Sequence, residues 1–286
     1  MTKSIEHILA GREKQITKEE TVIQPLPHKD FRFANPFIVI HHMRPEQIAP
    51  GSSARIHPHP HRGFAPVTFM LQGEGYHKDN AGHDGIISAG GAQWMFAGKG
   101  LLHSEGPTDH ILKNGGTQEL VQIWVNVPKA HKWDEPWYQQ ATKEQLPAVL
   151  QQEGTALKLV SGNYDGQKGP LDKSFTPVIS VMGTIQKGTS VRFPATPGYW
   201  TLLYIANGAL TFNDKEKVAE HNLVIFEKEN DEFFVHADED STIIFLSAEP
   251  IDEPVAAKDN FVMNTAEEVD QAIADYQNGV FGTLSY

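Results

Sequence analysis

Short apolar runs, each closed by glycine, recur along this chain of 286 residues and decide what it can fold into. Phe37-Ile38-Val39-Ile40, Val67-Thr68-Phe69-Met70-Leu71, Ala92-Gln93-Trp94-Met95-Phe96 and Val121-Gln122-Ile123-Trp124-Val125 are four or five residues long. Among them stand Gly73-Glu74-Gly75, Gly90-Gly91, Gly98-Lys99-Gly100 and Gly115-Gly116. Runs of this length with glycine turns read as β-strands of an antiparallel sandwich or barrel. No helical pattern alternates with them, which disfavours a βαβ sheet. The second half repeats the first. Thr201 to Gly208 resembles Val67 to Gly73, Leu223-Val224-Ile225-Phe226 echoes Gln93 to Phe96, and Thr242 to Leu246 echoes Val121 to Val125. The chain therefore reads as an all-β protein built from one duplicated module.

The rest of the chain is expected to serve the two modules. Residues 1–30 read as an N-terminal strand or arm, 31–128 as the first module, 129–175 as a linker and 176–250 as the second module. Residues 251–286 read as a tail packing on them. Pro45 to Ser53 reads as a loop, and Lys143 to Leu150 could form a short helix. Ala266 to Tyr276 is amphipathic at helical spacing, with Val269, Ile273 and Tyr276 on one face. Asn264-Thr265 supplies an N-cap candidate, with Glu267 and Glu268 in the first turn, and Gly279 a C-cap.

One motif carries chemistry. His57-Pro58-His59-Pro60-His61-Arg62-Gly63-Phe64 places three histidines at spacing two, and His103-Ser104-Glu105 follows about forty residues later. In a strand, residues two apart share a face. Two strands can then aim imidazoles and a carboxylate into one cavity, a donor set that suits a divalent first-row metal. Open coordination positions at such a site would permit catalysis. His57-x-His59 and His59-x-His61 fit equally, since about 13 Å separates His57 from His61 along a strand and one ion can take only two neighbours. Prolines 58 and 60 lack ladder donors, so this strand is expected at an edge or bulged. His77 and His83 are weaker candidates for supporting contacts. Nitrogen and oxygen donors favour iron(II), while Mn, Ni, Cu, Zn and Co remain possible. Aligning Gly73 with Gly208 puts Pro194 and Thr196 where His59 and His61 stand, so the second module is expected to hold no metal.

Composition excludes several alternatives. There is no cysteine, hence no disulfide, thiolate zinc site or iron–sulfur cluster. The formal net charge of −12, with Lys and Arg scattered singly, argues against direct nucleic-acid binding and against adsorption to an anionic membrane. No apolar run approaches the roughly 20 residues of a membrane span. With no export signal, the expected location is the cytoplasm.

The residues also resemble a known family. His59-Pro60-His61-Arg62-Gly63-Phe64, Gln93-Trp94-Met95, and Ala97-Gly98-Lys99-Gly100-Leu101-Leu102-His103-Ser104-Glu105 look like the pirin family of the cupin superfamily, as does Phe261-Val262-Met263-Asn264-Thr265 with the helix after it. The resemblance runs from about Phe31 to Asn278. It implies a bicupin: two antiparallel β-barrel or jelly-roll cupin domains face to face, with a short C-terminal helix and metal only in the first. It also implies the ligands His59, His61, His103 and Glu105, with His57 extra. The general cupin pattern has a glutamate soon after the second histidine; here Gly63-Phe64-Ala65-Pro66 has none, which leaves the fourth place to Glu105. Pirin-like proteins are associated with quercetin 2,3-dioxygenase activity and with metal- or redox-dependent regulation through a protein partner. The first implies a flavonol and O2 as substrates, with ring opening and release of carbon monoxide. Glu105 would act as catalytic base toward the 3-hydroxyl, and Phe69 and Trp94 could line the pocket or simply fill the core. The second implies a non-catalytic protein that binds a partner, for which the acidic stretches near Glu227 to Glu232 and Asp238 to Asp240 could serve.

Overall fold

The computed structural model describes residues 1–16 and 20–285. Residues 17–19, within the expected N-terminal arm, lie outside the description. The chain forms two compact units, neither of them a continuous stretch. The first comprises Asn35–Ile38, Met43–Thr142 and the chain from Ile251 onward; the second comprises Met1–Ala34, Val39–His42 and Lys143–Pro250.

Twelve strands run through the first half of the sequence. They are Ile5–Ala10 (β1), Arg12–Gln15 (β2), Thr21–Leu26 (β3), Phe37–Ile48 (β4), Ile56–His61 (β5) and Phe64–Gln72 (β6). Then come Glu74–Asp79 (β7), Asp84–Ser88 (β8), Ala92–Phe96 (β9), Leu101–Pro107 (β10), Gly116–Asn126 (β11) and Trp137–Ala141 (β12). A seven-stranded sheet has the order β12-β9-β6-β11-β4-β3-β2, and a four-stranded sheet the order β5-β10-β7-β8. The runs read from sequence as strands all lie inside these elements. They alternate little because several strands are buried on both faces, as in β9, where every residue is buried.

The second half repeats this plan. After Ala148–Val149 (β13), Thr155–Ser161 (β14) and a small hairpin of Asn163–Tyr164 (β15) with Gln167–Lys168 (β16) come Val178–Ile185 (β17), Ser190–Pro194 (β18) and Trp200–Asn207 (β19). Ala209–Phe212 (β20), Glu216–Ala219 (β21), Asn222–Phe226 (β22), Glu232–Ala237 (β23) and Ser241–Ala248 (β24) complete it. The sheet orders are β1-β22-β19-β24-β17-β14-β13 and β18-β23-β20-β21. Strand for strand these match the first pair: β5 answers to β18, β10 to β23, β6 to β19 and β11 to β24. The molecule is a bicupin of antiparallel sheets.

The structure differs from the sequence reading at several points. Pro45 lies inside β4 rather than in a loop. It falls beyond the register pairs of β4 with β3, Ile23↔His42 and Leu26↔Ile40, where a missing donor costs no rung on that side. Lys143 to Leu150 is a turn leading into β13, not a helix; Pro147 interrupts it. The stretch expected as a linker also supplies β12 and β14. The N-terminal stretch, read as a strand or arm, does supply a strand, β1, paired with β22 from Ile5↔Phe226 onward. A short helix unforeseen from sequence, Asp109–Asn114 (α1), is capped by Thr108.

The C-terminal segment forms a hairpin of Ala256–Lys258 (β25) and Phe261–Met263 (β26), then helix Ala266–Gln277 (α2). Thr265 and Glu268 make a reciprocal capping box, satisfying two of the free N–H groups at the helix start. Asn278 is the C-cap, with Gly279 following at positive φ. Val269 and Ala272 are buried against Leu102, Phe261, Met263 and Phe281, whereas Tyr276 is substantially exposed. This segment belongs to the first unit and reaches its His-containing strand. The Lys132 ammonium is buried and donates to the carbonyls of Gly63 (2.8 Å) and Val262 (2.9 Å) and to Asn126 Oδ1 (2.6 Å). Gly63 has φ +82°, and a Cβ there would overlap the Val262 carbonyl oxygen, so only glycine fits. Arg62 donates to Asp275 of α2 at 2.6 Å, its guanidinium lying over the rings of Trp133 and Phe281. No described helix is long and apolar enough to cross a membrane.

Candidate metal centre

The centre is built on β5 and β10. As the prolines require, β5 is the edge of its sheet. Its register with β10 pairs Leu101 with His61, His103 with His59, and Glu105 with Ile56. Between the last two pairs, two steps on β10 face three on β5, so β5 carries a bulge at His57-Pro58. The bulge breaks the alternation of faces and leaves His57 exposed while His59 and His61 turn inward. The register ambiguity of the three histidines is thus resolved locally by one extra residue.

His59, His61 and His103 each offer a ring nitrogen within 4.8 Å of the others. Glu105 Oε1 lies 4.0 Å from the Nε2 atoms of both His59 and His103. His61 and His103 are buried, while the side chains of His59 and Glu105 retain 21% and 12% exposure and mark the open side. Burial pushes His61 and His103 well below the usual histidine range, and the neighbouring imidazoles push the same way. The backbone of Asn260 acts weakly in the opposite sense on His61. Both rings are therefore neutral, the form that ligates metals.

Their hydrogen bonding supports the fit. The Nε2 of His103 is buried without a hydrogen-bond partner, and the His61 ring nitrogens have none beyond a poorly formed one with the backbone of Asn260. An unpaired buried polar atom is costly, and one nitrogen from each of these two rings could be completed by an ion. His59 donates from Nδ1 to the carbonyl of His57 at 2.9 Å, which leaves its Nε2 as the bare nitrogen. So His57, though no member of the cluster, orients a member through its backbone.

Other contacts were not read from sequence. Gln122 on β11 donates from Nε2 to both oxygens of Glu105, at 3.2 and 3.0 Å, and its Oε1 accepts the Trp124 indole N–H at 3.2 Å. The Phe64 and Trp124 rings stand 5.1 and 5.7 Å from the His61 ring centroid. They, rather than Phe69 and Trp94, are the aromatics recorded against the His triad. Phe69 and Trp94 are buried, Trp94 near Trp137. His77 lies on β7 behind His103, and His83 follows the same strand beside Asp79. The spacing of His77 and Asp79, two apart on one strand, was the signal that could have found them. Two cavities, of about 510 and 260 Å³, are lined by residues between Ala148 and Lys158 and between Arg12 and Lys29, and neither includes a residue of the triad.

In the second unit the equivalent strand pair is hydrocarbon. Val191 pairs with Val235 and Phe193 with Phe233, all buried. Pro194 ends β18, and Thr196 lies in the loop beyond.

Family models match residues 15–125, described as Pirin, and residues 180–282, described as Pirin C-terminal cupin domain. The chain belongs to the pirin family. Among pirin relatives, a Pseudomonas aeruginosa protein named "Putative quercetin 2,3-dioxygenase" is 33% identical over 86% of each chain. Pirin-1 of Arabidopsis thaliana is 32% identical over 97% of this chain and 94% of its own. The crystal structure of quercetin 2,3-dioxygenase from Acinetobacter baumannii superposes with a TM-score of 0.93 at 31% identity, over the whole of both chains.

Proposed function

We propose that this pirin is a metal-dependent dioxygenase that opens the ring of a flavonol, quercetin or a close analogue, with O2 and release of carbon monoxide. The observation that carries the reading is the clustering of three imidazoles, each offering a ring nitrogen within 4.8 Å of the others, with the Glu105 carboxylate 4.0 Å from two of them. The similarity to a solved quercetin 2,3-dioxygenase across the full chain supports the choice of substrate. His59, His61, His103 and Glu105 would hold the ion, iron(II) being preferred for its nitrogen and oxygen donors and its reactivity toward O2. Bound there, the ion supplies Lewis acidity toward an ionised enol oxygen and an open coordination position.

The chain's own groups do the rest. Glu105 is the acceptor for the flavonol 3-hydroxyl proton, and it lies on the side where the site meets solvent. Gln122, itself fixed by the Trp124 indole, holds both carboxylate oxygens and so sets where that proton is received. Phe64 and Trp124 give the site an apolar, aromatic side next to His61.

The test is O2 uptake and carbon monoxide release with quercetin, on protein purified without oxygen and loaded with iron(II), beside Glu105→Gln. Turnover that requires iron and is lost in the variant supports the reading. Stoichiometric metal without turnover overturns it and favours a regulatory role through a protein partner.

A further inference from the structure

We propose that Asp79, acting through His77, holds His103 in the tautomer protonated at Nδ1 and so presents its bare Nε2 to the metal. The proposal rests on the metal reading of the His triad, and it is independent of the substrate.

Donor and acceptor logic fixes each link. The Asp79 carboxylate is fully buried. The backbone N–H groups of Ala81 and His83, which can only donate, reach its Oδ1 at 2.9 and 3.0 Å. His83 Nδ1 approaches Oδ2 at 3.0 Å and His77 Nε2 approaches it at 3.1 Å. A carboxylate ringed by donors accepts, so His77 carries its proton on Nε2. With a neutral His77 ring that proton is its single N–H, and the His77 Nδ1 is a lone pair. That atom faces the Nδ1 of His103 at 3.4 Å. Two lone pairs would repel there, so the His103 Nδ1 carries the proton. The remaining nitrogen of His103, Nε2, is then bare, and it is the buried atom without a partner near Glu105.

The His77 ring cannot easily turn to escape this arrangement. Tyr138 stacks on it at 4.6 Å between centroids and 11° between planes, and the Tyr138 hydroxyl donates to Gln93 Oε1 at 2.8 Å. Two of the three histidines are thus aimed by different means: His59 by a backbone carbonyl, His103 by a carboxylate through a second imidazole. A partner of the latter kind fixes both ring orientation and tautomer, and raises the basicity of the ligating nitrogen. Asp79 and His77 are positioning residues.

The deciding measurement is nitrogen-15 NMR of the histidine rings in metal-free protein, joined to cobalt(II) affinity by competition with a chelator. In the unaltered protein His103 is expected to be protonated at Nδ1. In Asp79→Asn the amide can turn its NH2 toward His77 and reverse the chain, so His103 shifts to the Nε2-protonated tautomer. Cobalt affinity is expected to fall about 10- to 100-fold. His77→Leu, which leaves the turn at Asp79 in place, should give the same loss, and His77→Gln, which restores an acceptor, should recover most of it. A folded Asp79→Asn or His77→Leu in which His103 keeps its Nδ1 proton and its cobalt affinity overturns the proposal. Failure of the unaltered protein to bind cobalt would sink the metal reading instead, while the tautomer in metal-free protein still decides the relay.

Discussion

Two cupin units with matching strand orders fill their interiors in opposite ways. In the first, the inward positions of the β5–β10 pair are His59, His61 and His103, backed by His77, Asp79 and Gln122. In the second, the equivalent pair carries Val191, Phe193, Phe233 and Val235. There Phe193 and Phe233 stack at 5.0 Å and 10°, and Phe226 and Phe245 pack against them. The architecture depends on strand order and on the outer apolar layers, which the two share. The chemistry depends on a few inward side chains, which they do not. Polar groups taken from water cost free energy unless each is partnered, so the first interior carries hydrogen-bonded groups and unpaired nitrogens where the second has packed rings.

The comparison breaks most severely if the histidines prove dispensable. His59→Ala or His103→Ala is expected to abolish stoichiometric metal, read by elemental analysis after dialysis, whereas Pro194→Ala and Thr196→Ala leave metal content unchanged. Metal kept in both histidine variants, or a second equivalent lost on changing Pro194 or Thr196, would erase the distinction between the units. Next in size is Phe233→Ala, which removes a ring from the centre of the second interior. It is expected to cost about 3–5 kcal/mol in denaturant unfolding and to leave cobalt affinity alone. An equal loss of metal would mean that the second interior is part of the site.

Smallest near neutral pH is the effect on acid stability, where the second unit has a titrating group of its own. Burial, aided by the charge of Lys14, lowers His41 to about 3 from its ordinary 6.5. A depressed histidine stays neutral in the fold while the unfolded chain takes up the proton. Stability from this source is therefore present above about pH 6.5 and is lost as pH falls from there toward 3, by up to about 1.4 kcal/mol per pH unit. His41→Gln should flatten that part of a stability-against-pH curve. An unaltered slope would assign acid sensitivity to other groups.

The strands and their duplication were legible because apolar runs with glycine stops are local signals. The clustering of His59, His61 and His103 was legible for the same reason, since residues two apart on a strand share a face. What local pattern could not give was anything set by cross-strand register. Gln122 matters because β11 brings it to Glu105, and Asp79 matters because β7 lies beside β10 with Asp79 opposite His103. The bulge that removes His57 is likewise a mismatch between two strands, invisible in either alone. Lys143 to Leu150 misled because a short stretch of good helix formers was overridden by the proline within it and by pairing of Ala148 and Val149 with β14.

The return of the C-terminal segment to the first unit has a consequence for how such a protein is made. The strand bearing His59 and His61 ends in Arg62 and Gly63, and these are tied to Asp275 and, through Lys132, to Val262. Those partners leave the ribosome some 170 residues after His103. At translation rates of about 5–20 residues per second, that is a delay of roughly ten to thirty seconds. His59, His61, His103 and Glu105 are thus all synthesised well before the segment that braces the end of β5.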